Sequence, residues 1–363
     1  MIIVRALTCA ALAFAALLVA PLASKAEGPG LKVDSQWPKP LPNNWILGQI
    51  GGITVDGQDN IWVFQRPRSL TDDEKGAALT PPRSKCCVPA PSVLVFTPAG
   101  DLVKAWGGPG EGYDWPAVEH GILVDNKGFV WLTGSGVNDG MILKFTTDGK
   151  FVKQLGKRGP LTSSTDLGQF GQAAALSLDA PANEIYVADG YGNHRVAVID
   201  ADSGAIKRIW GAYGKPPTDE KIADFDPESK QFANPVHCVT LAANGLVYVC
   251  DRRNNRVQVF HKDGGFVRQF AFDPKTQGSG SSWGVAFSPL DKEQANFVLL
   301  DGTNNEMKTV RVADGAVLAT TGRPGRQAGE FHWVHAGAFD SKGNFYTGEV
   351  DTGKRVQKFV PAN

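Results

Sequence analysis

Two stretches decide the fold: Val187-Ala188-Asp189-Gly190-Tyr191-Gly192-Asn193-His194-Arg195-Val196-Ala197-Val198, and Val249-Cys250-Asp251-Arg252-Arg253-Asn254-Asn255-Arg256-Val257-Gln258-Val259-Phe260. Each opens as an apolar run that ends on aspartate. A short polar turn follows, and then a tail with apolar residues at every second place. Such alternation is the mark of a half-buried strand. The aspartate and asparagine supply side chains that bond nearby backbone in a tight turn.

Working outward, weaker copies occupy Trp131–Phe145, Phe297–Val312 and Phe345–Phe359, and the first copy, Ile61–Phe96, is interrupted by the insertion Pro67–Pro91. Repetition at roughly 40–50 residues is the period of propeller blades. Six units result, at about 45–107, 114–158, 170–213, 232–275, 279–325 and 330–361. Gly100, Gly149, Gly204 and Gly264-Gly265 serve the later turns of their units. The last unit stops after its third strand, while Leu31–Trp37 reads as a lone strand ahead of the first. That strand is expected to complete the sixth blade, closing the ring and removing a sheet edge. The reading is an all-β, six-bladed β-propeller in one domain, residues 27–363, with the insertions Pro67–Pro91, Gly159–Gly168 and Lys215–Lys230 on one face.

Residues 1–26 stand apart. A basic start, Met1–Arg5, precedes the apolar run Ala6–Ala23 and the small-x-small triplet Ser24-Lys25-Ala26. This is the pattern of a signal peptide cut after Ala26, with an uncleaved anchor as the alternative. The chain is therefore expected in the periplasm or outside the cell. Lys+Arg and Asp+Glu balance at 37 each, which gives nucleic acid or an anionic membrane no dominant counter-charge to bind. The expected partner is a small-molecule or peptide substrate, with no nucleic acid, no membrane after cleavage, and a monomeric protein. Four cysteines follow residue 26. Cys238 and Cys250 flank a hairpin and are placed to pair; Cys86-Cys87 reads equally as a vicinal disulfide or as free thiols.

Three of the six histidines stand at one equivalent place in the repeat. His120 opens Gly121-Ile122-Leu123-Val124-Asp125, His237 opens Cys238-Val239-Thr240-Leu241-Ala242, and His335 opens Ala336-Gly337-Ala338-Phe339-Asp340. The matching places in blades one, three and five hold Gly51, Ala174 and Trp283. Histidine on alternate blades of a six-fold ring makes a three-fold set, so three imidazoles are expected to converge on the axis. Three neutral imidazoles with an open fourth position are the ligands of a catalytic zinc, although copper, nickel or iron would also accept them. His194, His261 and His332 fall on turns or rims and read as structural or solvated, with His332 close enough to His335 to be kept as a spare ligand.

The V-x-D-x-x-N-x-R-V-x-x-F pattern resembles NHL repeats. The blade order and histidine set together resemble the peptidyl-α-hydroxyglycine α-amidating lyases, six-bladed propellers with an axial zinc. The resemblance implies zinc on His120, His237 and His335, a catalytic tyrosine at Tyr191, and active-site arginines at Arg252 and Arg66. Such an enzyme splits a peptidyl-α-hydroxyglycine into a peptide amide and glyoxylate. Zinc would polarise the carbinol oxygen, a tyrosine beside a cation could act as base, and two arginines could hold a carboxylate bidentately. Arg195, Asn193, Asn254 and Arg256 match the repeat itself and read as structural, and Arg66 is ambiguous with Arg68. The family also carries a structural calcium held by an acidic residue after the third histidine; Ala336 stands there, so calcium is not expected. Prolines of the family are replaced by Val334 and Glu119. The alternative function is a non-catalytic exported propeller that binds a peptide, glycan or protein. A lactonase-like site is disfavoured, because the inner strand starts lack an alternating acidic set.

Overall fold

A computed structural model describes residues 30–223 and 225–362; the expected signal peptide lies outside the described residues. Six four-stranded antiparallel sheets are arranged in chain order. Their innermost strands are Gln49–Val55, Glu119–Val124, Ala173–Asp179, Val236–Leu241, Gly284–Ala286 and Val334–Phe339. In blades one to five the chain steps outward from there, strand by strand. Blade six holds three such strands, and Leu31–Asp34 supplies its fourth by pairing antiparallel with Val356–Pro361. The ring is thus closed as the sequence implies.

The core is divided among the junctions between blades. In Glu184–Asp189, Ile185 and Val187 pack toward blade two, while Tyr186 and Ala188 pack toward blade four. Successive side chains leave opposite faces of a strand, so each inner sheet is apolar on both sides. Each of the six junctions has its own buried cluster of this kind. The hairpin glycines foreseen from the sequence adopt positive φ at Gly100, Gly149, Gly204 and Gly264.

The repeat's aspartate does more than form a local turn. Asp189 accepts from the Gly171 backbone N–H at 2.7 Å, where the chain enters the innermost strand, and pairs with Arg195 Nε at 2.8 Å. The rest of the Arg195 guanidinium donates to the carbonyls of Ser164 and Gln169, both at 2.8 Å. Blade four repeats this with Asp251, the Ala233 N–H and Arg256, whose Nη atoms hold Pro227, Ser229 and Gln231 carbonyls. Blade six uses Glu349 and Arg355, and blade five Asp301 and Lys308. Arg195 and Arg256 are wholly buried and, as expected, structural.

These clips fasten the connecting segments on one face of the ring. Ser163 in the second insertion bonds Asp219 in the third, and Phe225 N–H donates to the Arg253 carbonyl. The first insertion is tied at both sides: Glu74 pairs with Lys354 of blade six at 2.6 Å, and Arg68 with Glu119 of blade two at 3.0 Å. Cys238 and Cys250 face each other across the first two strands of blade four and are joined in a disulfide; Cys86 and Cys87 are joined to each other. Two disulfides fit an oxidising compartment.

Removing one partner of a buried pair leaves the other charge uncompensated. Asp251→Ala is expected to lower unfolding free energy by about 3–5 kcal/mol in denaturant titration. At the opposite edge of blade three, Glu184 takes a bidentate contact from Arg208 at 2.9 and 2.6 Å, which holds its carboxyl down to about 2. A depressed acid contributes stability above its unfolded value, and that contribution is lost as pH falls toward about 2. Glu184→Gln should therefore flatten the acid limb of stability between roughly pH 4.5 and 2 and cost ~2 kcal/mol at neutral pH.

Candidate metal centre on the propeller axis

Five of the six inner strands begin with an irregularity; Gly284–Ala286 of blade five pairs in regular register. The ladder slips between Ile50 and Gly52, Ala173 and Ala175, Val236 and Cys238, and Val334 and Ala336, and between Glu119 and Ile122. The displaced residues are Gly51, Ala174, His237 and His335, with His120 inside the fifth slip. A bulge re-aims the side chain it carries. Here it turns the side chain at the repeat's equivalent place toward the axis. Close approach of the strands constrains the rest: a Cβ on Gly51 would lie 2.3 Å from the Glu119 carbonyl oxygen.

The three imidazoles meet as expected. They are 2, 3 and 4% exposed, and one ring nitrogen from each lies within 4.8 Å of the others. Nε2 of His237 and Nε2 of His335 are 3.2 Å apart, and the ring centroids are separated by 4.7–5.2 Å. Burial holds all three well below the usual histidine range. The charges of Arg66 and Arg252 push the same way, as does coupling between the rings. They are therefore neutral, the form that ligates. Tetrahedral zinc with Zn–N near 2.0–2.1 Å requires nitrogens roughly 3.4 Å apart, so this donor set fits such an ion.

The other expected site residues gather on the same end of the channel. Tyr191 Oη lies 3.1 Å from His120 Nε2 and accepts from Arg252 Nη1 at 3.0 Å. Arg252 is 8% exposed and lies over the Trp283 ring, 4.4 Å from its centroid. Arg66 donates through Nε to the Glu119 carbonyl at 2.7 Å and through Nη1 to Gln49 Oε1 at 2.8 Å; burial lowers its pKa, opposed by Tyr191 and Glu119. Of the ambiguous pair, Arg66 faces the site, whereas Arg68 turns outward to Glu119 and the Pro116 carbonyl. His332 sits on the rim with Asp351 at 2.7 Å, and His194 bonds the Phe232 carbonyl.

Sequence reasoning missed Gln49 and the part played by Trp283. Gln49 is the cross-strand neighbour of Arg66, a register invisible without the bulge at Gly51. Trp283 holds the histidine-equivalent place in blade five, and that equivalence was the available signal. Beyond the triad the axial cavity, about 130 Å³, is lined by Ile53, Ile122, Leu176, Val239 and Thr240 among others, with no carboxylate. Calcium takes six to eight oxygens; with Ala336 after the third histidine, the residues do not fit it. A second acidic group, Asp273, Asp301 and Glu306, surrounds the Lys308 ammonium, which neutralises it.

Residues 170–199 and 236–260 match the NHL repeat family. NHL repeat-containing protein 3 of Mus musculus is 30% identical over 92% of this chain and 85% of its own length. The chain belongs to the NHL-repeat family. This NHL propeller is also 25% identical to peptidyl-glycine alpha-amidating monooxygenase B of Xenopus laevis over 92% of the chain, but spans only 36% of that protein. It is 25% identical to the probable peptidyl-alpha-hydroxyglycine alpha-amidating lyase of Caenorhabditis elegans over 59% of the chain and 56% of that protein.

The purified propeller is expected to take up one equivalent of zinc. A His120→Ala/His237→Ala double variant should take up none, as read by metal analysis after dialysis.

Proposed function

We propose that this propeller is an exported, zinc-dependent lyase that cleaves the C–N bond of a peptidyl-α-hydroxyglycine or related carbinolamide, giving an amide and glyoxylate. One observation carries the reading: a buried, neutral three-histidine set with a tyrosine and two arginines at the same end of the axis. The similarity to amidating lyases supports it. The disulfides support export.

A bound zinc would supply Lewis acidity at the carbinol oxygen. Arg66 and Arg252 would hold the substrate carboxylate, a planar anion suited to paired guanidinium N–H donors. The Trp283 ring backs the Arg252 guanidinium, 4.4 Å from its centroid, and Gln49 Oε1 accepts from Arg66. Tyr191 Oη would take the carbinol proton in its phenolate form, whose charge the Arg252 guanidinium 3.0 Å away would balance before the transfer. As the carbinol oxygen becomes a carbonyl, the C–N electrons go to the amide nitrogen, which gains a proton. No water or redox partner is consumed.

The test is glyoxylate release from an acyl-capped α-hydroxyglycine by the zinc-loaded protein. Tyr191→Phe should lower kcat by about 10²-fold or more, and Arg252→Lys should chiefly raise KM. Absence of release would remove the lyase reading. The second reading would then stand, a non-catalytic propeller that binds a partner on its loop-rich face. It is favoured by the higher identity to NHL repeat-containing protein 3 across most of both chains.

A further inference from the structure

Tyr191 belongs to blade three, yet blade four holds both of its ends. Arg252 Nη1 donates to its phenolic oxygen at 3.0 Å. The side-chain amide of Asn234 donates to its backbone carbonyl. Asn234 lies on the segment that enters the inner strand of blade four, Val236–Leu241. Its place is set by the buried clip of that blade, since Asp251 accepts from the neighbouring Ala233 N–H at 2.9 Å. Arg252 follows Asp251 in the chain, and its own backbone N–H donates to the Pro235 carbonyl at 3.3 Å. One clip therefore places both of the donors that grip Tyr191.

The turn that carries Tyr191 needs holding from outside. It reads Gly190-Tyr191-Gly192, and a glycine on each side leaves the backbone unusually free. Close approach explains both glycines. A Cβ on Gly190 would lie 2.1 Å from the Val236 carbonyl oxygen, and one on Gly192 would lie 2.4 Å from Leu161 Cδ2. Within its own blade, the Tyr191 N–H donates to the Gln172 carbonyl at 3.2 Å. The phenolic oxygen stands at the far end of the side chain, so a small tilt of this turn moves it away from His120 Nε2 and Arg252.

We infer that Asn234 is a positioning residue for the chemistry of this site: by holding the Tyr191 carbonyl from blade four, it sets where the Tyr191 hydroxyl stands beside the histidine triad. The inference rests on the reading of Tyr191 as the base. Asn234 acts through Tyr191 and not on the reacting atoms. Its amide is chemically specific here, because a carbonyl only accepts and the partner must donate. Asn234→Asp keeps the shape but has no N–H, and sets a carboxylate oxygen against the carbonyl.

A double-mutant cycle with the zinc-loaded protein and an acyl-capped α-hydroxyglycine tests this. Asn234→Asp should lower kcat by about 10-fold or more, the scale on which a misplaced catalytic group acts, with KM and zinc content little changed. In a Tyr191→Phe background the same substitution should lower kcat no further, because the two act as one unit. An equal loss in both backgrounds makes Asn234 merely structural and overturns the inference. So does an unchanged kcat in Asn234→Asp alone. Asn234→Ala, which removes the donor without adding a charge, takes its place in the cycle if the aspartate variant does not fold. A wild-type protein that releases no glyoxylate removes the lyase reading instead. The 19F NMR signal of Tyr191 in 3-fluorotyrosine-labelled protein, assigned by its absence in Tyr191→Phe, then decides the positioning. It should shift or broaden in the Asn234 variant, and an unchanged signal overturns the inference.

Discussion

The architecture depends on a buried carboxylate–cation clip at the end of the second strand in most blades. A carboxylate such as Asp189 or Asp251 accepts from the backbone entering the innermost strand and pairs with a guanidinium from the third strand. That guanidinium then satisfies carbonyls of the connecting loop. Charges removed from water are tolerable only when every donor and acceptor is met. Meeting them here requires the loop, the inner strand and the third strand to be correctly placed at once. Blades one and two reach the same end differently. Gln65 accepts from the Gly48 N–H, and Asp139 from the Ala117 N–H. The chemistry varies while the backbone constraint persists.

That constraint sets where the inner strands start, and in five blades the bulge there turns a repeat position into an axial one. Sequence then chooses what stands on the axis. Glycine and alanine in blades one and three let neighbouring backbones approach. Tryptophan in blade five forms a wall against which Arg252 packs. Histidine in the remaining blades brings three donors together at a depth where burial keeps them neutral. The surrounding cations, Arg66 and Arg252, suit an anionic ligand better than a second metal ion.

The repeat made the six blades, the closing strand and the convergence of His120, His237 and His335 legible. Each follows from periodicity, which strand alternation and ring symmetry convert into geometry. The resemblance pointed to Tyr191, Arg252 and Arg66, and the structure brings them together at one end of the channel. What stayed hidden depends on register and on backbone groups. The link from Gln49 to Arg66 crosses two strands, and the Ala174 and Trp283 carbonyls that meet Nδ1 of His120 and of His237 have no signature in residue identity. The pairing of Cys86 with Cys87 was likewise left open by sequence. Glu119 looked like a mere departure from the family's proline; buried, it anchors the first insertion through Arg68.

Pairing of Leu31–Asp34 with Val356–Pro361 also bears on when the axial site is complete. An arc of five blades, missing the last, gathers at most two of the three imidazoles. Capture of an ion by all three imidazoles would therefore require the finished ring. In small zinc domains the ion nucleates the fold; here it would certify that folding is complete.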